Sequence, residues 1–244
     1  FPSTFIIISP RGMLDDWSIS NKTFKKKIAL SLYTRPLIQK ANIIHALCKN
    51  EKYQIEKKFK VQNVIVVTNG IDGLGKSLEV EEHPGDYSLI VGYIGRLHQK
   101  KGLEYLIDAI ALLRGHKVLL RIAGFGDETY VKKLKVRVHE LNLESDIEFV
   151  GVVLNQKKEM FINSCDVTIL PSYSEGLPMS VLESWSYGKP TFITKECNFS
   201  EINDYDFAIQ IKQDPNDIYE KLSNYIHLEE SEKEKLSILA KNHV

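Results

Sequence analysis

The sequence predicts an α/β protein built on parallel β-sheets, and two observations carry that prediction. Short β-rich runs alternate with amphipathic stretches along almost the whole chain. The β-rich runs are continuously apolar instead of strictly alternating, as strands buried on both faces of a parallel sheet require. Strand–helix repetition at this density defines a doubly wound arrangement. In chain order the strand runs are Phe5–Ile8, Ile43–Leu47, Val64–Val67, Ser88–Ile94, Lys117–Ala123, Ile147–Val150, Val167–Leu170, Thr191–Thr194 and Phe207–Ile211. Helical spacing falls between most of them. In Leu103–Arg114, Leu106, Ile107, Ile110 and Leu113 share one face; Thr129–Leu141, Gln156–Asn163, Met179–Tyr187 and Asp217–His227 follow.

One interval breaks the rhythm. After Val64–Val67 comes Asn69-Gly70-Ile71-Asp72-Gly73 and then a polar, glycine-bearing stretch to Asp86, the composition of a linker. Residues 1–70 are therefore expected to form one domain, incomplete with only three strands, residues 71–86 a linker, and residues 87–244 a complete Rossmann-like domain of about six strands. The first residues, FPSTFIIIS, lack Met and any signal-peptide layout, so the chain reads as a piece of something longer.

Composition narrows the class. With 244 residues, 43% apolar and 26% charged, the chain is an ordinary globular protein, neither disordered nor collagen-like. Its 32 basic and 32 acidic residues cancel, but residues 11–60 carry a net charge of +8 and the remainder −8. A neutral total made of opposed halves does not argue against an anionic partner. Cys48, Cys165 and Cys197 are far apart and outside any C-x-x-C pair, which argues against a disulfide framework or zinc site and for a reducing setting. No apolar run approaches the roughly 20 residues of a membrane span.

Two segments carry candidate chemistry. The first is Gly92-Tyr93-Ile94-Gly95-Arg96, followed by Lys100-Lys101-Gly102 at the head of the Leu103 helix. In doubly wound sheets anions bind beyond the carboxyl ends of strands, at helix N-termini. Gly92 and Gly95 would admit a ligand close to the backbone, and Arg96 and Lys101 would bring two cations suited to a diphosphate. The plainer alternative is a tight turn with solvated basic residues. The second is Pro171-Ser-Tyr-Ser-Glu175-Gly-Leu-Pro178-Met-Ser-Val-Leu-Glu183. Pro178 marks a helix start, with Gly188 and Pro190 marking its end. Glu175 and Glu183 flank that helix N-terminus and could each accept from a vicinal diol. An ordinary capped helix with Glu183 on a solvated face explains the same residues.

Taken together, G-R-x4-K-G (Gly95–Gly102), A-G-x-G (Ala123–Gly126), F-V-G (Phe149–Gly151) and P-S-x3-E-G-L-P with its E-x7-E pair resemble the family 4 glycosyltransferases, retaining enzymes of the GT-B fold with two facing Rossmann-like domains. Order and spacing agree across about residues 90–195, and the upstream segment fits. The resemblance implies that Arg96 and Lys101 hold and stabilise the donor diphosphate. It implies that Glu175 bonds the transferred sugar, that the N–H groups of Gly176 and Leu177 seat sugar and phosphate, and that Glu183 takes the nucleotide ribose. Gly95, Gly126, Val150 and Val152 would line the rest of the nucleotide site. Ser9–Leu14, with Arg11 and Gly12, corresponds to the acceptor-side loop; many members have a His there, and here the candidate is Arg11, which could contact donor phosphate or acceptor or equally cap a turn. No Asp-x-Asp metal motif of the kind used by GT-A enzymes accompanies these segments, so the expectation is a UDP- or GDP-sugar donor, no metal and no further cofactor. His98 reads as a polar loop residue and His45 as a satisfied core residue.

The basic segment 22–40 interleaves Lys22, Lys25, Lys26, Lys27, Arg35 and Lys40 with Phe24, Ile28, Leu30, Leu32, Leu37 and Ile38. It is either a basic amphipathic helix that meets an anionic membrane from the cytoplasmic side or an ordinary helix packed on its sheet. No nucleic-acid motif accompanies the lysines. The expected activity is transfer of a hexose to a glycan or lipid-linked acceptor in bacterial cell-surface polysaccharide synthesis. Two rivals remain at this point: a nucleotide-binding fragment without catalysis, and a glycoside hydrolase using Glu175 and Glu183. The hydrolase leaves Arg96 and Lys101 without a purpose.

Overall fold

The computed structural model describes residues 4–14, 30–71, 73, 85–199 and 205–244. Lys22, Lys25, Lys26 and Lys27 of the basic segment, and most of the 71–86 stretch, lie outside the described residues. The chain divides into two compact units. The first is Phe1–Asn69 with Ser174–Pro178 and Glu196–Ser200; the second is Gly70–Tyr173, Met179–Lys195 and Glu201–Val244.

In the first unit, β1 (Ile7–Ile8), β2 (Ile43–Ala46) and β3 (Val64–Val66) form a parallel sheet in the order β1-β2-β3. A wide helical turn over Leu30–Thr34 runs into α1 (Arg35–Lys40), with Pro36 at its second residue. α2 (Lys49–Phe59) begins where the Cys48 sulfur accepts from Glu51 N and ends on Lys60 in a left-handed conformation. Its buried residues, Glu51, Ile55 and Phe59, recur every four positions along one face. Ile55 and Phe59 pack with Ile38, Ile44 and Val64 into the core of this unit. His45 is a satisfied residue of the sheet: Nδ1 meets Ser9 Oγ at 3.0 Å and Nε2 meets the Val67 carbonyl at 2.8 Å.

The second unit runs β4 (Leu89–Ile94), α3 (Leu103–Leu112), β5 (Val118–Ala123), α4 (Glu128–Glu140), β6 (Ile147–Gly151), α5 (Gln156–Asn163), β7 (Val167–Leu170), α6 (Met179–Ser186), β8 (Thr191–Thr194), β9 (Ala208–Ile211), α7 (Pro215–Ile226) and α8 (Glu230–His243). Its six strands are all parallel, ordered β6-β5-β4-β7-β8-β9. The apolar face of α3 (Leu103, Leu106, Ile107, Ile110) is fully buried. α4 and α7 start on Asp127 and Asp214, whose carboxylates accept from main-chain N–H groups of the first turn, and α8 starts with a reciprocal Glu229–Glu232 box. α7 packs on α3 and α8 on α6. Trp185 of α6 is fully buried, its indole N–H donating to Thr191 Oγ1 at 2.8 Å and Phe207 meeting it edge-on.

One expectation needs correction here. Gly92 does not open space for a ligand: it lies within β4, where an added Cβ would come 2.6 Å from the Cys165 sulfur. Its missing side chain serves the close approach of the segment after α5 to the sheet.

Candidate functional site

Reversal of strand order in the six-stranded sheet falls between β4 and β7. Crevices that bind ligands open at such a point, beyond the carboxyl ends of the strands. The residues that follow those two ends are Gly95-Arg96 after β4 and Pro171-Ser172-Tyr173 after β7, the two segments singled out from the sequence.

The β4–α3 loop is pinned by main chain. Gly95 N donates to the Ala123 carbonyl at 3.0 Å, Leu97 N to the Phe125 carbonyl at 2.7 Å, and Leu97 bridges to Gly126 as a strand would. A Cβ on Gly124 would run into the Gly95 carbonyl, and one on Gly126 into the Leu97 carbonyl. The A-G-x-G motif therefore lets two loop backbones run side by side past the end of the sheet. Arg96 is exposed, and its carbonyl accepts from the Tyr93 hydroxyl at 2.9 Å. His98 Nδ1 accepts from Lys100 N at 3.0 Å and so caps the short turn Gln99–Lys101. Lys101 is half-buried and is followed by Gly102, left-handed at φ +65°.

Beside this loop lies a cavity of about 460 Å³, in the range of small-ligand sites. Leu97, Gly124, Phe125, Gly126, Phe149 and Gly151 line it together with Lys132 and Lys135 of α4. The Lys135 ammonium stands 5.5 Å from the Phe149 ring centroid. Val150 is half-buried against the core cluster under the sheet, while Val152 is exposed. Glu183, in α6, is neither free nor solvated: Oε1 accepts from Lys158 Nζ at 2.7 Å, with 25% of the side chain accessible.

Glu175, Gly176 and Leu177 belong by their contacts to the first unit. Asn198 holds this stretch from its side-chain nitrogen, donating to the carbonyls of Glu175 at 2.6 Å and Gly176 at 3.1 Å; Asn69 donates to that of Leu177 at 2.8 Å. Gly12 packs against it so closely that a Cβ would lie 2.9 Å from Gly176 N. Arg11 and Gly12 form a turn with both φ angles positive, and Arg11 is exposed. What holds the turn is Glu51, a residue sequence reasoning missed. Its carboxylate is buried and accepts from Gly12 N at 2.6 Å and Leu47 N at 2.7 Å. A glutamate amid KNEKYQIEKK gives no sign in the sequence that it faces inward.

Tyr173 was also not legible. Its hydroxyl donates to Tyr105 Oη at 2.7 Å, and Tyr130 donates to Glu104 Oε2 at 2.8 Å. Burial, then the hydrogen bond and charge of nearby groups, pushes the Tyr173 and Tyr130 hydroxyls well above the usual phenol range, so both stay protonated donors. Among the described residues no group of three or more His, Cys, Asp and Glu side chains is placed to hold a metal ion, and no helix is long and apolar enough to cross a membrane.

A parallel sheet with its order reversing beside a cation-bearing loop defines a doubly wound α/β protein, and its fold matches solved structures of GT-B glycosyltransferases. Anabaena HepE, crystallised with UDP and glucose, superposes over 98% of this chain and 66% of its own with a TM-score of 0.78 at 18% identity. WaaG, a glycosyltransferase involved in lipopolysaccharide biosynthesis, superposes over 99% of this chain and 74% of its own, with a TM-score of 0.76 at 15% identity. The profile of the glycosyl transferases group 1 matches residues 78–243, well over half of the chain, and the chain belongs to that family. An uncharacterized glycosyltransferase of Methanocaldococcus jannaschii is 30% identical over 192 residues, 78% of this chain. The N,N'-diacetylbacillosaminyl-diphospho-undecaprenol alpha-1,3-N-acetylgalactosaminyltransferase of Campylobacter jejuni is 28% identical over 173 residues, 68% of this chain. The chain spans about half the length of these curated relatives, 51% of the first and 41% of the second.

Proposed function

We propose that the protein to which this chain belongs is a family 4, retaining glycosyltransferase that moves a hexose from a UDP- or GDP-sugar to a glycan or lipid-linked acceptor in bacterial cell-surface polysaccharide synthesis. The observation that carries the reading is the placement of Arg96 and Lys101 on the loop leaving β4 at the order reversal of the sheet, next to a 460 Å³ cavity. Relatives named for glycan assembly, such as the Campylobacter jejuni enzyme, support the substrate class.

In this reading the diphosphate lies against Arg96 and Lys101, whose charges stabilise it as it departs; no metal ion is needed for that step. The acceptor oxygen attacks the anomeric carbon on the face from which the diphosphate leaves. One C–O bond forms as the other breaks, and the acceptor proton passes to the departing diphosphate oxygen. Glu175 bonds the transferred sugar. Glu183 reaches the ribose by exchanging part of its Lys158 pairing for the diol. The nucleotide base occupies the cavity between Gly124–Gly126 and Phe149–Gly151. Arg11 serves the acceptor side. Leu32, Tyr33 and Leu37, exposed apolar side chains near Arg35 and Lys40, support contact with an anionic membrane surface on the cytoplasmic side.

The test is Arg96→Ala and Lys101→Ala in the full-length protein, with nucleotide release and thermal unfolding measured together. Turnover should fall at least 100-fold, the order expected for removal of one charge stabiliser at a transition state, with little change in unfolding. Wild-type turnover in either variant refutes the assignment. UDP and GDP calorimetry on this chain alone, beside transfer by the full-length protein, separates a binding fragment from an enzyme. Flotation with anionic and neutral vesicles at low salt tests the membrane contact; equal recovery removes it.

A further inference from the structure

Three consecutive residues at the end of β7 grip the cation-bearing loop on both sides of Lys101. Tyr173 N donates to the Lys100 carbonyl at 2.8 Å. The Pro171 carbonyl lies against Gly102, in the space a Cβ there would need. The Tyr173 hydroxyl donates to Tyr105 Oη in the first turn of α3, the two rings meeting edge-on with centroids 6.1 Å apart. Between them, the Ser172 carbonyl accepts from Thr194 Oγ1 at 2.7 Å and from Gln213 Nε2 at 2.9 Å, which ties the tripeptide to the ends of β8 and β9. Lys101 is thus bracketed at residues 100, 102 and 105 by a segment itself anchored to two further strand ends.

We propose that Tyr173 is a positioning residue for the donor diphosphate, acting through the Tyr105 hydroxyl to fix the loop that presents Lys101. This rests on the donor-site reading above. A lysine ammonium ends a flexible four-carbon stem, so fixing its Cα reduces the freedom it must give up to meet a diphosphate in one place. The β4–α3 loop has only a short turn between strand and helix, with main-chain bonds to the β5 end on one side. The Tyr173–Tyr105 bond closes the other side.

The experiment is calorimetric binding of UDP and of GDP to the full-length protein and to Tyr173→Phe, Tyr105→Phe, the double Phe variant, Lys101→Ala, and Lys101→Ala with Tyr173→Phe. Phenylalanine keeps the ring and its edge contact and removes one hydroxyl. Each single Phe variant should weaken the better-bound nucleotide about five-fold, the factor equivalent to one ordinary hydrogen bond. The double Phe variant should be no weaker than either single one, since each breaks the same bond. In the Lys101→Ala background Tyr173→Phe should change affinity less than two-fold. A loss of merely structural origin would persist undiminished there, and that result overturns the proposal, as does a less than two-fold effect of both single Phe variants in the wild-type background. Lys101→Ala binding as tightly as wild type, or no binding of either nucleotide to the wild-type protein, instead sinks the donor-site reading beneath it. Should Tyr173→Phe not fold, Tyr105→Phe carries the same cycle.

Discussion

Replacing Glu51 by alanine should destabilise the protein by about 3–5 kcal/mol, mainly through two hydrogen bonds to its buried carboxylate. Glu51 is 7% exposed, and its two carboxylate oxygens accept from Gly12 N at 2.6 Å and Leu47 N at 2.7 Å. Hydrogen bonds to a charged acceptor contribute roughly 1.5–3 kcal/mol each, and a buried N–H left without a partner costs about 1–3 kcal/mol. Removing the carboxylate also removes its desolvation cost on folding, which offsets part of the sum and brings the expected loss down to the order seen when one partner of a buried charged contact is deleted. Glu51→Gln keeps one acceptor oxygen and turns an NH2 toward the other N–H, so it should cost about 2 kcal/mol. Urea unfolding followed by circular dichroism gives the stability change, and amide hydrogen exchange at Gly12 and Leu47 reads the two bonds directly. A loss below about 1 kcal/mol in the alanine variant, with Leu47 still protected, would show that the carboxylate is dispensable and the reasoning wrong.

Four further outcomes are expected. Gly102→Ala combines a left-handed φ of +65° with a Cβ directed at the Pro171 carbonyl, and should cost about 2 kcal/mol, or roughly 6 °C in midpoint; an unchanged midpoint counts against the bracketing of Lys101. Burial pushes the Cys165 thiol up to about 12, so iodoacetamide at pH 8 should leave it unmodified until the protein is unfolded. Since its ordinary value is 9.0, the unfolded thiol ionises first as pH rises; between about pH 9 and 12 this one group should lower stability by roughly 1.4 kcal/mol per pH unit, a slope that Cys165→Ala removes. Under the proposed ribose contact, Glu183→Ala should weaken UDP about ten-fold while Lys158→Ala changes it less than three-fold, the ammonium being a resting partner only; equal losses in calorimetry would make the pair purely structural.

Strands were readable because burial on both faces leaves short runs of apolar and β-branched residues without polar alternation. Val167–Leu170 and Thr191–Thr194 are all buried, and they appear in the structure with the bounds their composition predicts. Two helices were not readable. Lys49–Phe59 buries only Glu51, Ile55 and Phe59, and Glu230–His243 buries fully only Ala240, so neither shows a wide apolar stripe. Gly124 and Gly126 were legible as a motif but not in their role, because the chain they must approach, Gly95 to Leu97, is far away in sequence. The Lys158 pairing of Glu183 was hidden for the same reason: 25 residues separate the partners.

By itself the sequence determined the α/β class, the parallel strands, and the two segments where cations and carboxylates cluster, because each rests on local periodicity or on short spacing along the chain. Only the tertiary structure decided which segments become neighbours. It set the strand order that turns at β4 and β7, bringing Pro171–Tyr173 onto both sides of Lys101, and it turned Glu51 inward onto two loop amides. The physical reason is that hydrogen bonds between main-chain groups and close approaches of glycine backbones depend on positions in space, and residue type alone carries almost no record of the partner.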